Sequence, residues 1–112
     1  MSNYEEKFEE KLKEAEKLSS VLKSLTDYEP RDAELSAVGF DATIDLAKKT
    51  QENFDKMRDD ALVDADVKKV AENDLKDVID LLKEKVRLIK GNVEEQYGQD
   101  SDEYRSVKDV NL

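Results

Sequence analysis

The chain has 112 residues, 29 acidic and 19 basic side chains, a formal net charge of -10, and neither Cys nor His. This length suits a single domain over residues 1–112, and the acidic excess argues against nucleic acid and against an anionic membrane surface, because both would repel it. Without Cys or His there is no disulfide framework, no zinc-thiolate site, no thiol nucleophile and no imidazole base.

Charged residues make up 43% of the chain and aromatic residues only 6%, a balance also seen in disordered proteins. Periodicity decides against disorder. Tyr4, Phe8, Leu12, Ala15, Leu18, Val21, Leu22 and Leu25 recur at steps of three or four, the one-sided stripe of an amphipathic helix. Ser2 followed by Glu5 fits a capping box. The first helix is placed at about residues 3–26.

Thr26-Asp27-Tyr28-Glu29-Pro30 is the clearest break, because Pro30 disfavours helical geometry at Glu29 and cannot donate to a helix behind it. Pro30 suits the first turn of a second helix over about 31–60. That helix carries one stripe of Leu35, Val38, Ala42 and Leu46 and another of Ala37, Phe40, Ile44 and Ala47. Two stripes call for two neighbours, as in a bundle of three or more helices.

The next turn is placed in the acidic cluster Asp59, Asp60, Asp64 and Asp66, with Asn73-Asp74 as the other candidate. Asp64 or Asp66 can cap the helix that follows. Val67, Ala71, Leu75, Val78, Leu82, Val86, Ile89 and Val93 keep one phase, which favours an unbroken third helix over about 66–97. Gly98 then occupies the position after the helix where positive φ is cheap. In the tail, 98–112, Asp100 with Glu103 predicts a short helical turn within Asp102 to Val107, followed by extended Val110 and Leu112. The expected fold is therefore all-α: an up-down-up three-helix bundle with a short C-terminal helical turn and tail. Its helices would be about 35–48 Å long, a slender rod with a narrow core that self-association would help.

Counting levels about pivots at residues 29 and 65 brings Ser19 (with Ser20), Gly39 and Gly91 to one height. Gly costs roughly 1 kcal/mol against Ala inside a helix, so its presence asks for a reason. One reason is close helix packing; the other is a small pocket.

The carboxylates are the abundant reactive groups, but a ferritin-like di-iron site needs His, and no full calcium-loop pattern occurs at Asp64-Ala65-Asp66 or Asp100-Ser101-Asp102-Glu103. The serines lack a His partner, the lysines fall on polar faces, and the glycines are too dispersed to cradle phosphate. No cofactor, metal or catalytic residue is expected. Tyr97 and Tyr104 flank the C-terminal turn and are candidates for an interface or for covering the end of the core. The charge is spread evenly, with net values of -2, -4, -2 and -2 over residues 2–27, 28–62, 63–97 and 98–112.

Tyr28-Glu29-Pro30 followed by Glu34-Leu35-Ser36-Ala37-Val38, together with the ending Tyr97-Gly98-Gln99-Asp100-Ser101-Asp102-Glu103-Tyr104, resembles a family of small uncharacterised bacterial helical-bundle proteins. That family has a Tyr-x-Pro first turn and a C-terminal (Phe/Tyr)-Gly-x-x-Ser-x-x-Tyr motif. The segment Asp59 to Asp74 departs from it. The resemblance implies a bacterial helical bundle and brings no activity or site residues with it.

No apolar run approaches the ~20 residues of a membrane span, and Met1-Ser2-Asn3-Tyr4-Glu5-Glu6 lacks the basic-then-apolar pattern of a secretion signal, so a cytoplasmic protein is expected. The functional expectation is a non-enzymatic helical interaction module with a protein partner or a second copy of itself. The alternative is a small-molecule-binding bundle with its pocket at the small-residue layer.

Overall fold

The computed structural model describes residues 3–112, with side chains from residue 7 onward; the Ser2–Glu5 capping box and the Tyr4 side chain lie outside these. Among the described residues the chain is helical and has no strand: α1 spans Asn3–Ser24, a 3-10 turn Ala33–Leu35, α2 Ala37–Asp59, α3 Ala65–Tyr97 and α4 Asp102–Lys108.

The caps explain these boundaries. α2 begins at Ala37 rather than at 31, leaving Pro30 outside it. Asp32 starts the 3-10 turn by accepting from the Glu34 amide at 3.1 Å. Ser36 is extended, and its Oγ accepts from the Gly39 amide at 3.0 Å, the preferred start for a helix. The Tyr28 hydroxyl donates to the Leu35 carbonyl at 3.1 Å and ties this irregular segment together. α3 starts within the acidic cluster, where the Asp64 carboxylate accepts from the Asp66 amide at 3.2 Å. It runs unbroken through Asn73-Asp74 to Gly98, which has φ 98°. α4 is capped by Ser101, whose Oγ accepts from the Tyr104 amide at 3.1 Å.

α1, α2 and α3 share one core. α1 contributes Phe8, Leu12, Ala15, Leu18 and Leu22; α2 contributes Phe40, Ile44 and Ala47; α3 contributes Leu75 through Val93 at helical spacing. Each fully buried Leu or Phe is worth about 1.5–3 kcal/mol. Contacts between helices run in opposite senses. Ser19 meets Asp41 while Glu16 meets Lys48, so α1 and α2 are antiparallel. Lys85 meets Thr43 while Gln96 meets Glu29, so the chain returns along α3 antiparallel to α2. α4 packs on α1 and α3, bringing Val107 and Val110 into the core. The molecule measures 53 × 25 × 17 Å.

The two stripes of α2 fare differently. Phe40, Ile44 and Ala47 are buried, whereas Val38 is 81% and Leu46 50% exposed. Ala42 is exposed too. Of the other stripe, Leu35 is buried in the core from the 3-10 turn, whereas Val38, Ala42 and Leu46 are left exposed on α2. Val67, expected in the α3 core stripe, is 43% exposed at the start of the helix.

Candidate interaction surface

α1, α2 and α3 share one core and leave grooves between them. Each is finished in a different way.

The α1–α2 groove is closed by polar bridges. Lys23 Nζ lies 2.8 Å from Asp41 Oδ2, Lys48 Nζ 2.8 Å from Glu16 Oε1, and Ser19 Oγ donates to Asp41 Oδ1. The hydrogen bond from Lys23, then that from Ser19, holds the Asp41 carboxyl below its ordinary pKa. The Lys48 ammonium is raised by its bond to Glu16.

The α1–α3 groove is filled by the end of the chain. Val107 and Val110 are fully buried there, and Leu112 packs against the core. Asn111 and Leu112 lie between Lys7 and Lys11 of α1 and Lys83, Val86 and Lys90 of α3. Burial and the neighbouring Lys83 lower the Lys11 pKa.

The α2–α3 groove is open on its outer side. Leu46, Lys49, Thr50 and Asn53 form one wall, and Asp74, Asp77, Val78 and Leu81 the other. Leu46 is 50%, Leu81 40% and Leu88 39% exposed, although each sits beside the core. The floor carries a polar clasp, where Lys85 Nζ donates to Thr43 Oγ1 at 2.7 Å and Thr43 Oγ1 donates to the Gly39 carbonyl at 3.3 Å. The Lys85 side chain is 12% exposed, a correction to the expectation that every lysine lies on a polar face.

The structure does not assemble the expected small-residue layer. Ser19 is buried and turned to Asp41, while Ser20 is exposed in the same groove. Gly39 is a close approach, but to the 3-10 turn: a Cβ there would collide with the Ala33 carbonyl oxygen and lie 2.7 Å from Glu34 Cα. Gly91 faces outward, and a Cβ would meet nothing within 4 Å. The levels expected from the turns place these residues near one another along the long axis, but the helical phase of Gly91 points it away from the core. The hollow beside Ser19 and Ser20 contains neither glycine.

Tyr97 and Tyr104 are half-buried against the core. The Tyr97 hydroxyl donates to Asp27 Oδ1 at 2.8 Å, and burial, then this bond, pushes its pKa up to about 12. Gln96 bonds both backbone groups of Glu29, and Arg31 pairs with Glu95. The stretch around Tyr28-Glu29-Pro30 is therefore fastened to the start of the Tyr97-Gly98 stretch, at one end of the molecule.

Among the described residues, no group of three or more acidic side chains is placed to hold a metal ion, and no helix is long and apolar enough to cross a membrane. The exposed residues of the α2–α3 groove did have a signal in the sequence: Val67, Asp74, Leu81 and Leu88 follow one another at intervals of seven, a second stripe beside the core stripe of α3. Comparison of the chain with protein-family models, with curated proteins and with solved structures finds no match.

Proposed function

We propose that the chain is a non-enzymatic helical interaction module. In this reading it is a single-domain, up-down-up three-helix bundle braced by α4, a cytoplasmic protein that binds a protein partner across its outer α2–α3 groove. The observation that carries it is the exposure of Leu46 and Leu81 in the α2–α3 groove, which among the described residues is covered neither by the ion pairs that bridge α1 and α2 nor by the chain's own end. Leaving these side chains half in water forgoes part of the ~1.5–3 kcal/mol that burial of each would contribute. An apolar centre of Leu46, Val78 and Leu81 with Lys49, Thr50, Asn53, Asp74 and Asp77 around it matches the apolar core and polar rim of a protein-binding surface.

An enzyme built on carboxylates would need two inward acids with raised pKa values. Asp55 is raised, by burial and then by Asp59, but Asp59 itself is held low by Arg58. The even spread of negative charge disfavours nucleic acid as the partner.

Site-specific photocrosslinking in a cell extract tests the proposal. A photoreactive side chain at position 46 or 81 is expected to give discrete adducts that the same group at exposed Lys17 of α1 does not. Identical patterns from all three positions, or no adduct from 46 and 81, would count against it.

A further inference from the structure

We propose that the occupant of the α2–α3 groove is a second copy of this chain, paired about a twofold axis parallel to α2 and α3, so that α2 of each copy lies over α3 of the other. This rests on the interaction-module reading above and names its partner.

The argument is one of level and charge. The Thr43–Lys85 contact sets the register between the two antiparallel helices. Counting from it, Leu46 is level with Leu81 and Leu82, Lys49 with the turn holding Asp77 and Val78, and Asn53 with the turn holding Asp74 and Leu75. A twofold axis along the helices preserves level and exchanges the two walls. Leu46 of one copy then stacks on Leu81 of the other, and Lys49 faces Asp77, twice over. The other in-plane axis, perpendicular to the helices, lays α2 on α2 and α3 on α3. With the leucines at its centre it sets Lys49 opposite Thr43 and Asp77 opposite Lys85, which is already bonded to Thr43, so the Lys49–Asp77 pairs do not form. Charge therefore selects the first arrangement. Glu84, farther along the same face, is already engaged by Arg87 at 2.5 Å.

The area is sufficient. α2 has 23 residues, so the face is about 34 Å long and roughly 20 Å wide, on the order of 700 Å². Standard-size interfaces bury roughly 600–1,000 Å² per partner. The assembly places α2, α3 and their copies as an antiparallel four-helix core, and the exposed stripe of α2 gains a neighbour.

Sedimentation equilibrium of the full chain, with circular dichroism to verify folding, tests this. The unsubstituted chain is expected to dimerise in the micromolar range. Leu81→Glu and Leu46→Glu alter side chains already half exposed, and each should raise Kd at least about 30-fold. Lys49→Glu should raise it about tenfold, and adding Asp77→Lys should restore it to within about threefold. Leu62→Glu, at a 95% exposed position between α2 and α3, should leave it unchanged. A monomer throughout the concentration range overturns the proposal, as does a dimer indifferent to Leu81→Glu or a double charge swap that fails to restore pairing. The wider reading fails separately: a monomer whose position-81 crosslinks to another protein persist overturns self-pairing alone, whereas a monomer without such adducts overturns both.

Discussion

Gln96 grips the backbone of Glu29 on both sides: its Oε1 accepts from the Glu29 amide at 2.8 Å and its Nε2 donates to the Glu29 carbonyl. The two residues are 67 apart in the chain. The side-chain amide completes the hydrogen bonding of a segment whose Pro30 removes the next backbone donor. Gln96→Ala should therefore lower stability by about 0.5–1.5 kcal/mol. It should also speed hydrogen exchange at the Glu29 amide. Gln99→Ala, beyond the end of α3, should change neither. Equal exchange at Glu29 in the Gln96 variant and the parent would show that the grip is not formed in solution.

Tyr97 makes stability sensitive to alkali. Its phenol, ordinarily near 10, is pushed up to about 12 by burial and by its bond to Asp27. The folded state thus favours the neutral form. The contribution is fully present below pH 10 and is lost as pH rises through about 12. Ultraviolet titration should show Tyr97 ionising late, and Tyr97→Phe should remove that step. Burial also raises Tyr28, so Tyr28→Phe is the necessary control. In unfolding experiments Tyr97→Phe should flatten the loss of stability over this window.

Helix positions were legible in the sequence where one stripe faced one core. The α3 phase from Ala71 to Val93 gave both the helix and its buried face, and Asp64 marked its start. Pro30 misled because a first-turn proline is only permitted, not required. Ser36, with a side chain that reaches the Gly39 amide, is the stronger start signal. The outer groove was illegible for a different reason. Periodicity identifies apolar faces but not which neighbour covers each, and Leu46 reads as core until the packing of α1 against Phe40 and Ile44 is known. The small-residue layer failed on helical phase: level can be counted from the turns, but Gly91 lies on the outer face at that level.

Asp55 carries a charge where the fold disfavours one. Its Oδ1 is enclosed and lacks a hydrogen-bond partner, although the side chain as a whole is 43% exposed. Arg58 lies 3.6 Å away but is engaged with Asp59 at 3.1 and 3.3 Å. Burial, then repulsion from Asp59, raises the Asp55 pKa. The folded state therefore favours the protonated acid, and the ionised form costs stability at neutral pH, a cost that disappears as pH falls through the raised value. Asp55→Asn should raise the urea midpoint at neutral pH and leave it nearly unchanged in acid. A lower midpoint at neutral pH would show that the Arg58 contact outweighs desolvation.

The two helical glycines should respond to alanine with opposite signs. At Gly39 the added methyl would strike backbone, the Ala33 carbonyl oxygen and Glu34 Cα, which no side-chain rotation relieves. Shifting the 3-10 turn would also disturb the Ser36 cap and the Tyr28 bond to Leu35. Gly39→Ala should cost about 1–3 kcal/mol despite its better helix propensity. At Gly91 the methyl enters open space on the surface of α3, so only propensity acts, and Gly91→Ala should stabilise by about 0.5–1 kcal/mol. Urea denaturation of both variants measures this. A stabilising Gly39→Ala would show that the 3-10 turn does not pack on α2. A destabilising Gly91→Ala would show that this face of α3 is covered in solution.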